Sequence, residues 1–131
     1  MAYRFTKHYA RDEARALMPQ LRLWLNELRE VRERLARQDE RFSQMLGEGC
    51  DLGGELVNDW LRQLATLRKL LYRFETLEIQ VKDIDRGLVD FPAIIGGREV
   101  FLCWEQDEDD IEYWHDIETG YAGREKLRGE D

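Results

Sequence analysis

Apolar residues at Leu17, Leu21, Trp24, Leu28, Val31, Leu35, Phe42 and Met45 advance in steps of four, three, four, three, four, seven and three. A seam with this spacing runs along one face of a helix and must be covered by a partner. Only Gln38 interrupts it. On its flanks Glu30 to Arg34 and Glu33 to Arg37 stand in the favourable Glu-first order at i,i+4. Pro19 cannot donate a main-chain hydrogen bond. The spacing therefore predicts a short helical turn before it and a main helix over 19–46, about 42 Å long at a rise of ~1.5 Å per residue.

Gly47-Glu48-Gly49 stops this helix, and Cys50-Asp51-Leu52-Gly53-Gly54 turns the chain. A second seam follows at Val57, Trp60, Leu64, Leu67, Leu71 and Phe74, widened by Leu56, Leu61, Leu70 and Leu77. Two such helices joined by a short Gly-rich connection form an antiparallel, coiled-coil-like hairpin. Trp24 and Trp60 sit at seam positions, so they belong to its core rather than to a stacking platform. The second helix carries more apolar surface than one partner covers. The remainder must meet the C-terminal segment, another subunit, or both.

After residue 78 the period changes from seven to two, beginning with Ile79 and Val81 against Gln80 and Lys82. Residues 88–95 and 98–104 flank Gly96-Gly97, which suits a two-residue primed hairpin turn. That turn puts Ile95 opposite Arg98, Phe91 opposite Leu102 and Asp90 opposite Cys103. One face then reads Val89, Phe91, Ala93, Val100, Leu102, Trp104 and packs on the helices. Asp90, Pro92, Glu99, Phe101 and Cys103 occupy the other. Residues 111–115 make a third strand after an acidic turn over 105–110. If Ile111 faces Trp104, His115 shares the core face and is structural. A slip by one residue would set it beside Cys103. The first register groups Ile111 and Tyr113 with Leu102 and Trp104 and is the expected one. From Ile117 the chain reads as an irregular tail. The whole predicts a single α+β domain over 1–131: a helical hairpin over 1–78, packed by a small antiparallel sheet and ordered tail over 79–131.

Charge limits the partners. The net charge is −8, and residues 83–131 hold fifteen Asp/Glu against five Arg/Lys. Phosphate backbones require a basic footprint, which argues against nucleic acid. No apolar run reaches the roughly 18 residues of a spanning helix, and the opening residues lack the apolar core of a secretory signal. With only Cys50 and Cys103, a disulfide framework is not expected. The expected setting is cytoplasmic, away from membranes.

Several polar groups are set singly among Trp, Phe and Leu, where burying a charge is costly without a partner. Asp90, Cys103 and His115 contain the types of a thiolate–imidazole–carboxylate set. Against this, a mid-strand thiol usually packs as a small hydrophobe, and no oxyanion hole is evident. His115, Asp116 and Glu118 are metal-ligand types close in sequence, with Asp83, Asp85, Asp90 and Cys103 as further donors, although their spacing matches no metal motif. Arg86, Arg98 and Arg124, with Asp83 and Asp90, form a candidate site for a small anionic ligand if the arginines converge. Dispersed, they simply pair with Asp83, Asp90, Glu99 or Asp116. Residues 47–54 lack the Lys-Ser/Thr of a phosphate loop, and the acidic turn lacks the order of a calcium loop, so both read as solvated turns.

The C-terminal motifs Lys82-Asp83, Arg86-Gly87-Leu88-Val89-Asp90-Phe91-Pro92, Gly97-Arg98-Glu99-Val100, Leu102-Cys103-Trp104, Tyr113-Trp114-His115 and Gly120-Tyr121-Ala122-Gly123-Arg124 resemble the hallmark of a prokaryotic family, domain of unknown function 2203. Phe5-Thr6, Glu13-Ala14 and Leu17-Met18-Pro19 resemble its N-terminus. The chain departs from that pattern by extra residues between Thr6 and Glu13 and by the acidic run 106–110. The resemblance implies an architecture and carries no activity. The residues favour a non-enzymatic binding or interaction module, self-associating as a homo-oligomer through its helices, with a polar C-terminal pocket for a small anion or a protein partner. The alternative is a small metal-dependent or cysteine-dependent hydrolase using the same pocket. No cofactor is demanded, and a divalent metal is the one candidate.

Overall fold

The first seam becomes one helix, α1 (Arg11–Gly47), in a computed structural model that describes residues 2–49 and 54–129. Ala14, Met18, Leu21, Leu25, Leu28, Val31 and Leu35 are its buried face, recurring every three or four residues. Trp24 lies half-buried beside this stripe, edge-on to Phe74 at 5.4 Å. The expected break at Pro19 does not occur, and α1 runs straight through it. Proline removes the bond to the Arg15 carbonyl and costs about 3 kcal/mol in a helix interior. Tertiary contacts of the first turns offset that cost. Ala14 and Met18 are buried, the Arg15 guanidinium donates to Asp110 at 2.6 and 2.8 Å, and Arg11 Nε donates to the Ile111 carbonyl at 2.7 Å.

The second helix, α2 (Gly54–Thr76), runs antiparallel to α1: Gln38 meets Asp59, the Trp60 indole N–H donates to Asp39 at 3.1 Å, and Arg73 pairs with Glu27 at 3.5 Å. The turn expected at Cys50–Gly53 lies outside the described residues. Among the described residues of α2 only Leu70 and Phe74 are buried. Trp60 is half-buried at the rim of the seam, a correction to its expected place in the core. Past the helix, Glu78 adopts a left-handed φ of 57°, and the Ile79 N–H returns to the Phe74 carbonyl at 3.1 Å. The Glu78 carboxylate then accepts from the Lys7 and Thr6 main-chain N–H groups and the Thr6 hydroxyl, which ties down the N-terminal arm and holds this acid below the usual carboxylate range.

Five antiparallel strands follow in simple meander order: β1 (Gln80–Asp83), β2 (Leu88–Ile95), β3 (Arg98–Glu105), β4 (Tyr113–Asp116) and β5 (Glu125–Lys126). The β2–β3 register is the expected one, with Ile95 on Arg98, Phe91 on Leu102 and Asp90 on Cys103. Gly96 and Gly97 have φ of 59° and 76°, the paired positive values that a primed turn requires. Val89, Phe91, Ala93, Val100, Leu102 and Trp104 face the helices and share one core with the buried residues of α1 and α2.

The expected register of β4 is overturned. Phe101 pairs with His115 and Cys103 with Tyr113, one residue away from the pairing that would set Ile111 against Trp104. The acidic connection is not a solvated loop. The Trp104 indole N–H donates to the Glu108 carbonyl at 2.9 Å, Arg22 donates to the same carbonyl at 3.0 Å, and Arg15 holds Asp110. Fully buried Ile111 thus reaches the core from this anchored connection, and the strand that follows starts one step out of phase. The tail is also more regular than expected. A 3-10 turn (Tyr121–Gly123) leads into β5, which pairs with β4. Among the described residues, no helix is long and apolar enough to cross a membrane.

Candidate functional site

Strand alternation and the observed registers bring three side chains together on the sheet face turned away from the helices. Asp90 of β2 lies opposite Cys103 of β3, and His115 of β4, paired with Phe101, projects on the same side. Their exposures are 2%, 1% and 3%, so charge here must be balanced within the protein. One ligand atom from each can be chosen so that all lie within 4.8 Å of one another. All three line a cavity of about 220 Å³ whose rim includes the exposed Lys82, Thr119 and Tyr121. Phe101 forms its apolar wall, with Phe5 packed edge-on at 5.5 Å and the Lys82 ammonium 5.4 Å from its ring.

The hydrogen bonds set the proton inventory. His115 Nδ1 lies 2.8 Å from the Asp116 carbonyl, which can only accept, so Nδ1 carries a proton. His115 Nε2 lies 3.0 Å from Asp90 Oδ2, and a hydrogen bond there needs a second proton. With Nδ1 committed to the Asp116 carbonyl, that proton is shared along the Nε2–Oδ2 contact. Burial works against the charged ring, but hydrogen bonds to Asp90, Cys103 and the Asp116 carbonyl, with the Asp90 charge, outweigh it and push the His115 pKa up to about 10. The other carboxylate oxygen, Asp90 Oδ1, is buried without a hydrogen-bond partner among the described residues.

Beside Cys103 stands Arg124, its guanidinium 3.9 Å from the sulfur. Tyr113 and Tyr121 stack on it at 3.8 and 4.3 Å, and Glu108 accepts from two of its nitrogens at 2.6 and 3.3 Å. Arg86 stacks on Tyr121 at 4.3 Å, pairs with Glu105, and donates its main-chain N–H to Asp83 Oδ1 at 3.1 Å. Arg98 pairs with Asp116 at 2.9 Å, and Glu118 with Arg4 at 2.6 Å. Glu99, on the N-terminal side of β3, takes His8 at 2.8 Å and the Arg4 and Phe5 N–H groups.

The structure thus brings together Asp90, Cys103 and His115. It sends Asp116 and Glu118, the sequence neighbours of His115, to separate arginines. Arg86 and Arg124 meet through Tyr121, and Arg98 lies apart. Two participants were not foreseen from sequence. Glu108 reaches Arg124 only because the acidic connection folds back. Tyr121 is placed by the tail, and its place in the Gly120-Tyr121-Ala122-Gly123-Arg124 motif marked it without giving it a role.

In a thiol–imidazole relay one ring nitrogen takes the carboxylate and the other takes the thiol. Here the second nitrogen is committed to the main chain. What the three side chains do offer is a compact mixed S, N and O donor set. The sequence model of a protein family described as "Uncharacterized conserved protein (DUF2203)" matches residues 7–127. No curated protein and no solved structure matches the chain.

Proposed function

We propose that this chain, which belongs to the DUF2203 family of uncharacterized conserved proteins, is a non-enzymatic binding module of the cytoplasm that self-associates through its helices and carries a small polar pocket under its C-terminal tail. The observation behind the association is the outer stripe of α2. Leu61, Leu64 and Tyr72 are 50%, 36% and 63% exposed and lie on one helical stripe with Arg68. A second copy suits this stripe by charge. The residues of α1 and α2 carry twelve Arg/Lys against ten Asp/Glu, whereas residues 83–131 are strongly acidic. Two copies meeting through near-neutral helices keep their acidic sheets apart. The pairing of Arg86, Arg98 and Arg124 with carboxylates weighs against an anionic ligand and an anionic substrate alike, and the commitment of His115 Nδ1 to the main chain supports a binding role over thiol catalysis.

Sedimentation equilibrium at micromolar concentration tests this reading. The expected result is a dimer or larger species that Leu61→Glu with Leu64→Glu converts to monomer, with helical circular dichroism retained. A monomer mass for the unsubstituted protein refutes it.

A further inference from the structure

We propose that Asp90, Cys103 and His115 bind a divalent transition-metal ion of the zinc type, through a carboxylate oxygen, the thiolate sulfur and His115 Nε2. The inference rests on the reading of this pocket as a binding site and names what it takes. The donor set comes first: a thiolate, an imidazole and a carboxylate within 4.8 Å of one another are the ligand types of a borderline-soft ion, and a calcium or magnesium site would use oxygen throughout. The imidazole is also oriented for the task. Its Nδ1–H is fixed on the Asp116 carbonyl at 2.8 Å, the arrangement that aims Nε2 at a metal and sets the tautomer.

The independent observation is Asp90 Oδ1. A side chain only 2% exposed keeps one oxygen with no hydrogen-bond partner among the described residues, although such an atom normally finds one. That oxygen belongs to a residue lining the cavity of about 220 Å³ that the other two donors also line. A cation held by the three satisfies it. The charge balance closes as well: two protons leave, one from the Cys103 thiol and one from the Asp90–His115 hydrogen bond. A divalent ion on a thiolate, a carboxylate and a neutral imidazole is a neutral unit, which a buried site tolerates. Arg124 is neutralised by Glu108 and so adds no net charge beside the sulfur.

The test uses untagged, chelator-stripped full-length protein in a Cys50→Ala background, where Cys103 is the one remaining thiol. Cobalt(II) titration is expected to give a thiolate-to-cobalt charge-transfer band that saturates at one ion per chain and is bleached by zinc(II). Cys103→Ser should abolish the band, and His115→Gln and Asp90→Asn should each weaken affinity by at least ~10–100-fold, the loss known for partners that merely support a ligand. Near-ultraviolet circular dichroism identifies folded variants, and Cys103→Ser, nearly isosteric, keeps the test decisive if another fails to fold. The proposal is overturned if the folded protein shows no band, or if the band survives Cys103→Ser. Absence of the band in a protein that still sediments as an oligomer rejects the ion alone. A monomer that gives the full cobalt spectrum rejects the association alone.

Discussion

In metal-free protein the buried Asp90–His115 pair makes stability fall with alkali, and the size of the fall follows from the geometry. The His115 pKa is raised from 6.5 to about 10 in the folded chain. A group whose folded pKa is raised contributes stability that is fully present below its unfolded value and lost as pH climbs through its folded value. The window therefore opens near pH 6.5 and closes near pH 10. Each unit of difference is worth ~1.4 kcal/mol, so the contribution lost across the window is roughly 3–5 kcal/mol. Lys and Tyr groups also titrate near its upper end. The quantity to measure is thus the urea-unfolding free energy of the unsubstituted protein minus that of His115→Gln, in chelator, at half-unit steps from pH 6 to 10.5. The expected difference is flat up to the opening of the window and then declines steadily. The imidazole NMR signals supply a direct check, since the ring should stay protonated at pH 8. A ring that titrates near its ordinary value, or parallel pH profiles for the two proteins, would refute the doubly donating imidazolium.

Two further outcomes test the packing around the site. Trp104→Ala should cost about 3–5 kcal/mol in chemical denaturation, because the fully buried indole also holds the Glu108 carbonyl and carries Arg22 at 5.2 Å; a loss under about 1 kcal/mol would show that the sheet's core face is misassigned. Arg124→Lys should cost about 2 kcal/mol, since lysine loses the paired bonds to Glu108 and the stacking between two tyrosines, while Arg98→Lys, at an exposed bridge to Asp116 and 5.7 Å from the Trp114 ring, should cost under ~0.5 kcal/mol. Equal losses from these two substitutions contradict the clamp.

The parts legible in the sequence are those with local causes. Gly96-Gly97 determines its own turn, so the placement of Asp90 opposite Cys103 could be read by counting five residues back along each strand from the Ile95–Arg98 pair. The two seams declared the helices for the same reason, since each apolar step is a property of neighbouring turns. His115 had no such local determinant. Its register is set by the connection before it, and that connection is held by Arg15 and Arg22, residues of α1 far away in sequence. The same distant contacts carried α1 through Pro19 against its propensity. Strand β5 is two residues long and its hydrogen bonds come from β4, too little pattern for periodicity to register.

The anchoring of the acidic connection to α1 also bears on the order in which the molecule assembles. The two helices pair with each other, and each strand pairs with its neighbour along the chain. Such contacts close short loops and form early. The bonds from Arg11 and Arg15 to Asp110 span 99 and 95 of the 131 residues. Closing them carries the larger entropic penalty. The register of β4 rests on that long closure, whereas Asp90 and Cys103 are set side by side by one local hairpin. The acid and the thiol are therefore fixed locally, and the imidazole is fixed by contacts that tie the start of α1 to the connection before β4.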